Sequence, residues 1–504
     1  MQPLLSGFLL LATTTAAQFV NQEYHSQNFT VVKSPSNQNV TVAYKEPRGV
    51  CKTAFPSQKQ YTGWVSVPGD YPTNLFFWFV EAREKTDKLT IWLNGGPGSS
   101  SMYGFFTGNG PCAVVEKGLN QYDTVARDWG WDRGSNMIFI DQPNQVGFSF
   151  DTPTNGTMFF PNATVIFPPV SDQSTKSPWA IVNGTYSSMN QNTTANTTQT
   201  AALAVWHMLQ GFLGAFPQYL PPAPQPVSIN LFAESYGGRY GPVFADIWEQ
   251  QNLVRQAPAA SNSTRKIQLT SLGIINGCVD QEIQLALSPK FATANTYGFK
   301  AYSDEQAKFY SDKFNVTGGC GDKLRLCASL SASLDPKDTG AVIGVNQACQ
   351  RAGSACNDVD QPYYAAGRSP YDLASPFTDP FPPSTFMDYL NQDSVLSTIG
   401  SPINYTMNSN TVFSVFSATG DLYRSQTIPR LAALLNKGIR IGFIYGDRDY
   451  ICHWFGGEAV SLELAKAAGG QYLTRFPAAG YSPIIVNSSY IGARDGLSNL
   501  LPAS

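Results

Sequence analysis

The chain has 504 residues, a formal net charge of -3 and a charged fraction of only 14%, against 42% hydrophobic and 13% aromatic residues. That length exceeds what one core usually fills, so one large domain with an insertion, or two domains, is expected. A near-neutral balance without a Lys/Arg run argues against a nucleic-acid partner.

Residues 1–17, MQPLLSGFLLLATTTAA, form an apolar stretch ending in small residues, the pattern of a secretory signal. N-glycan acceptor triplets stand at Asn28, Asn39, Asn155, Asn162, Asn183, Asn192, Asn196, Asn262, Asn315, Asn404 and Asn487. Together they predict a secreted glycoprotein, with the vacuole as the alternative. No later apolar run is long enough to cross a bilayer, so no membrane partner is expected.

Further along, YTGWVSVPGDYPT suggests a hairpin turn before an aromatic strand over Asn74–Ala82. KLTIWLNGGPGSSS reads as a buried strand entering a glycine-rich loop, and Asn136–Phe150 as an apolar run bounded by a turn. Residues 152–198, rich in Asn, Thr and Ser, predict an exposed, glycan-bearing loop. Thr200–Phe216 has helical periodicity and VSINLFAES is the strand after it; SLGIINGCVD and IRIGFIYGDRD are two more buried strands. Strands alternating with helices imply an α/β chain with a mostly parallel sheet covered on both faces. From about residue 281 to 410 that alternation lapses, which predicts a cap inserted between core segments 18–280 and 411–504.

The eight cysteines fit an oxidising compartment. Cys320, Cys327, Cys349 and Cys356 have mirror spacing, which suggests bridges Cys320–Cys356 and Cys327–Cys349 clamping a helical hairpin. Zinc is the rival, but no histidine accompanies them and the spacing is wide for a ribbon, so no metal is expected. Cys51, Cys112, Cys278 and Cys452 allow three connectivities, or one bridge with two free thiols.

The chemistry concentrates in INLFAESYGGRYGP. Ser235 sits between Ala233 and Gly237 on a strand-to-helix turn, where small neighbours let a strained nucleophile elbow form. Upstream, WLNGGPGSSS offers glycines where an α/β-hydrolase builds half its oxyanion hole. The loop lacks the Gly-Lys-Ser/Thr ending of a P-loop and the spacing of a dinucleotide turn, and no cofactor is expected.

WLNGGPGSSS, DQPNQVGFSF, AESYGGRYGP and IYGDRDYICHWFGGEA, in this order, resemble the serine carboxypeptidases in their secreted fungal branch. The resemblance implies an α/β-hydrolase fold with a helical cap, and exopeptidase activity on peptides or proteins with a free C-terminus. It implies that Ser235 is acylated, that Gly96 and Tyr236 offer N–H groups to the oxyanion, and that Asn94, Gly95 and Glu234 hold the substrate carboxylate. Two carboxylates share a hydrogen bond only if one is protonated, so an acidic working range follows. The family's second glutamate is missing: Thr107, Gly108 and Asn109 occupy that neighbourhood.

Asp449 matches the family's orienting acid, and Asp447 is read as a turn residue. The base should follow Asp449 in sequence. His25 and His207 precede Ser235, and His453 stands four residues after Asp449 where the family tends to have Asn. None is expected to serve. PAAGYSP places Tyr481 where a histidine would complete a family-like motif, the reading of a non-catalytic binding protein. The preferred expectation is that the chain as written stops short: GYSPIIVNSSYIG resembles the segment before the family's histidine strand, and ARDGLSNLLPAS has no strand periodicity. An esterase or lipase of the same fold is the remaining alternative.

Overall fold

The computed structural model describes residues 19–20, 28–159, 164–170, 181–255, 264–359, 363, 366–377, 384–424, 426–481, 485–486 and 489–490. The expected signal, His25 and the acceptors Asn162, Asn262 and Asn487 lie outside these residues.

Nine strands form the main sheet: β1 (Thr30–Lys33), β2 (Thr41–Lys45), β3 (Gln60–Val67), β4 (Thr73–Val80), β5 (Leu89–Leu93), β6 (Asn136–Ile140), β7 (Val227–Glu234), β8 (Ile267–Ile275) and β9 (Arg440–Ile444). Their spatial order is β1-β2-β3-β4-β6-β5-β7-β8-β9. The pairings from β1 to β6 are antiparallel. Those from β6 to β9 are parallel, so the expected parallel character belongs to the half that carries the site. This is an α/β-hydrolase fold.

Pattern explains position. In β7, Val227, Ile229, Leu231 and Ala233 are buried on one face, under α1 (Thr198–Ala215) and α2 (Gly237–Val254). Alternation sends Glu234 to the other face and leaves Ser235 at the strand end. Helix α1 starts with a capping box between Thr197 and Thr200, which satisfies free N–H groups of its first turn. The opposite sheet face packs Trp64, Phe76, Trp78, Phe105 and Phe139 into an aromatic layer. Each fully buried ring of this kind contributes roughly 2–3 kcal/mol.

Residues 152–198 are not a mere loop. Thr154–Phe159, Thr164–Ile166 and Ile181–Tyr186 form a three-stranded antiparallel sheet. Its strands carry buried hydroxyls beside their apolar residues: Thr157 Oγ1 accepts from Val170 N and Thr185 Oγ1 donates to Asn155, each at 2.8 Å. Nor is every acceptor triplet free. Asn404 is 2% exposed, takes the Thr185 N–H at 2.8 Å and donates to Asn391 at 3.3 Å, so it is a packing residue. Asn28, Asn39, Asn155, Asn192 and Asn315 are exposed.

In the 281–410 segment, α3 (Cys320–Leu334) and α4 (Ile343–Cys356) form a hairpin carrying bridges Cys320–Cys356 and Cys327–Cys349. The other four cysteines pair as Cys51–Cys112 and Cys278–Cys452. Helices α5 (Asn410–Thr419), α6 (Thr427–Asn436) and α7 (Trp454–Ala468) follow. Among the described residues no helix is long and apolar enough to cross a membrane, and no cluster of His, Cys, Asp and Glu could hold a metal.

Candidate active site

Ser235 has a φ of 62°, a left-handed conformation that a non-glycine residue adopts only when its surroundings impose it. The imposition is visible. Its N–H donates to Ile275 O at 2.9 Å, and its carbonyl accepts from Gly238 N at 2.9 Å and Cys278 N at 3.0 Å. A Cβ on Gly237 would lie 2.7 Å from that of Ala233, and one on Gly238 would meet Cys278 backbone at 2.6 Å. Small residues are thus required on both sides of the serine.

The glycine-rich loop after β5 presses on this elbow. A Cβ on Gly95 would fall 2.4 Å from Tyr236 N and 2.9 Å from the Ser235 Cβ. Gly96 and Gly98 have φ of 111° and 93°, which side chains rarely allow. The phenol of Tyr236 donates to buried Asp421 at 2.7 Å. A cavity of about 410 Å³ opens beside Gly96 and Tyr236, walled in part by Phe413, Phe416 and Tyr423.

On the other side of Ser235 is a polar group set. Asn94 Oδ1 accepts from Trp92 Nε1 at 2.7 Å and Gly104 N at 3.1 Å. That fixes the amide orientation and turns Nδ2 to Glu234 Oε1 at 3.2 Å. Burial, then the charge of Asp449, pushes the Glu234 carboxyl up to about 7. Tyr103 faces the same group: burial, then Glu234, raises its phenol to about 12. No acid stands at residues 107–109; a Cβ on Gly108 would meet open space, and the buried amide of Asn109 has no hydrogen-bond partner.

A raised carboxyl has a stability consequence. Below pH 4.5 Glu234 is protonated both folded and unfolded; between 4.5 and about 7 the unfolded carboxyl ionises first, so stability falls as pH rises. Glu234→Gln should therefore match the parent at pH 4 and exceed it at pH 8 by roughly 2 kcal/mol, after allowance for water at its partly exposed edge. Thermal melts at the two pH values check this; a pH-independent difference contradicts it.

Asp449 follows β9 and is 9% exposed. Its Oδ2 accepts from Asn276 Nδ2 at 2.8 Å and its Oδ1 from Cys452 N at 3.2 Å, yet burial still raises its carboxyl to about 7. The Cys278–Cys452 bridge links the segment that holds the Ser235 carbonyl to the one that holds Asp449. Asp447 instead accepts from Tyr297 at 2.9 Å.

The histidines lie elsewhere. His207 is on α1 against Trp206. His453 caps α7: Nδ1 accepts from Gly456 N at 3.0 Å, so Nε2–H donates to Ser288 Oγ at 3.1 Å. Its ring stacks on Phe291 at 5.0 Å, and burial drives its pKa down to about 4. Both nitrogens are occupied by a structural role.

Motif reasoning missed Asn276, Tyr103, Asp141 and Asp421. Asp141 lay within the quoted DQPNQVGFSF and Asn276 within the quoted strand SLGIINGCVD; Tyr103 and Asp421 gave no local signal.

A strained serine at a strand-to-helix elbow, a facing glycine loop and an acid after a later parallel strand define a serine hydrolase of the α/β class. The serine carboxypeptidase family model matches residues 49–477. "Carboxypeptidase S1 homolog A" of Arthroderma otae is 40% identical over 483 residues, 92% of this chain and 72% of the relative. "Carboxypeptidase S1" of Penicillium janthinellum is 31% identical over 443 residues, 87% of each chain. A crystal structure of a prohormone-processing carboxypeptidase from Saccharomyces cerevisiae shares the fold, with a TM-score of 0.57 at 20% identity over 84% of this chain and 81% of that one. The chain belongs to the serine carboxypeptidase family.

Proposed function

We propose that the chain is a secreted, glycosylated serine carboxypeptidase that acts on peptides with a free C-terminus under acidic conditions. Segment 281–410 would serve as its cap. The observation that carries this reading is the pairing of Asn94 with a Glu234 carboxyl raised to about 7, next to Ser235. A protonated Glu234 donates to a substrate carboxylate, with Asn94 Nδ2 and the Gly95 N–H as further donors; ionised, it repels one.

In the chemical step Ser235 Oγ bonds to the terminal peptide carbonyl carbon as its proton leaves to a base. The oxygen takes the negative charge beside the N–H groups of Gly96 and Tyr236. The amine departs with a proton, and water hydrolyses the acyl ester. Asp449 would orient and stabilise the base. Neither His207 nor His453 is placed to be that base. A family site lacking one triad member keeps only its anion hole and binding, roughly 10³–10⁴-fold over water.

Incubation of a defined peptide at pH 5 with mass-spectrometric readout tests this. The expected result is slow release of single C-terminal residues, suppressed by a competing dipeptide with a free C-terminus. Internal cleavage, or turnover of esters only, would overturn it. A second reading, peptide binding without turnover, is favoured by the engaged nitrogens of His453; peptide binding with no release above the uncatalysed rate would select it.

A further inference from the structure

We propose that Asp141 is the positioning residue of the substrate-carboxylate site: its buried side chain anchors the loop after β5 and, through Ser101, the backbone of Asn94. Asp141 follows β6 and is fully buried. Its Oδ1 accepts from Ser100 Oγ at 2.7 Å and Ser101 N at 2.8 Å, and its Oδ2 from Phe148 N at 2.9 Å. One carboxylate thus joins two separate loops.

The second loop is shaped around that carboxyl group. Gly147 has a φ of 59°, and a Cβ there would come within 2.0 Å of Asp141 Oδ2 and 2.7 Å of Ser100 Oγ. Ser149 Oγ donates to the Asp141 carbonyl at 2.7 Å. No side chain other than hydrogen fits at residue 147 while the carboxylate keeps its place.

From Ser101 the connection runs to the ligand side. Ser101 Oγ donates to Ile140 O at 2.6 Å and accepts Asn94 N at 3.1 Å. Asn94 then has its backbone fixed by Ser101 and its amide fixed by Trp92 and Gly104. The loop's outer flank is tied separately, through Ser100 N to Met407 O and Ser409 N to Gly98 O, each at 2.9 Å. Asp141 is its tie on the sheet side. Hydrogen bonds in a dry interior are strong, and a shift near 1 Å in a positioned group is enough to degrade recognition.

This inference rests on the carboxylate-binding reading above, so the test compares a blocked dipeptide with its C-terminal amide, both by equilibrium binding at pH 5 in a Ser235→Ala background. Adding Asp141→Asn keeps the side-chain volume but turns one acceptor oxygen into a donor facing an N–H. It is expected to weaken the free acid about tenfold while the amide changes less than about twofold. Ser101→Ala, which removes the link to Asn94 together with the hydrogen bond to Ile140 O, is expected to show the same selectivity and carries the test if Asp141→Asn does not fold. An acid-to-amide ratio unchanged in both variants, or equal losses for both ligands, overturns the proposal while leaving the carboxylate reading intact. Equal binding of acid and amide by the Ser235→Ala parent sinks that reading, and the role of Asp141 with it.

Discussion

Replacing Asp338 by asparagine is expected to destabilise the protein by ~3–5 kcal/mol, the largest stability effect foreseen for one substitution. Asp338 comes from the turn between the two disulfide-linked helices and plugs into the core. Its Oδ2 lies 3.1 Å from Arg239 Nη2 and 3.2 Å from Arg430 Nη2, and its Oδ1 lies 3.7 Å from Arg424 Nη1. Ser331 adds a hydrogen bond at 2.7 Å. Asp335 and Asp421 complete the set, with Arg424 Nη1 to Asp335 at 2.8 Å and Arg239 Nε to Asp421 at 3.7 Å. Three arginines therefore face three buried aspartates. Removing one negative charge leaves three guanidiniums facing two buried aspartates, with only the half-buried Asp246 beside Arg430 to compensate.

Asparagine is the informative replacement because Asp338 has a φ of 51°, which Asn tolerates and Ala does not. Backbone strain is then held constant and only the charge changes. The Lys300–Asp304 pair is the control: its side chains are 58% and 78% exposed, so Asp304→Asn should shift stability by less than about 1 kcal/mol. Thermal or denaturant unfolding of both variants decides the matter. Equal effects at the two sites would mean that the cluster does not anchor the hairpin.

How much of this was readable beforehand follows the physics of each feature. Ala233, Ser235 and Gly237 announce the elbow because close approach demands small residues at fixed offsets. The hairpin was readable because helical geometry converts mirror spacing of Cys320, Cys327, Cys349 and Cys356 into facing sulfurs. Glu234, by contrast, came only from the family resemblance, and its place on the face opposite Ala233 is seen in the fold.

The charge cluster was not readable. Arg239 and Asp338 are 99 residues apart, Tyr236 and Asp421 are 185 apart, and such pairs leave no periodic trace. Asn276, 173 residues before the Asp449 it holds, is invisible for the same reason. The small sheet of residues 154–186 escapes pattern reading because buried Thr157 and Thr185 interrupt its apolar positions Met158, Ile181 and Tyr186.

The second large effect lies in recognition of the substrate terminus, and it tests the central claim most directly. Glu234 accepts from Asn94 Nδ2, and burial, with Asp449 nearby, keeps its carboxyl protonated up to about pH 7. At pH 5 it donates a hydrogen bond to an incoming carboxylate; at pH 8 two like charges meet. The measurement is the equilibrium affinity of Ser235→Ala for a blocked dipeptide and for its amide at both pH values. The account predicts that the free acid binds about a hundredfold tighter than the amide at pH 5, and that the preference shrinks below about fivefold at pH 8. Equal affinities at pH 5, or a preference for the acid that grows with pH, would contradict it.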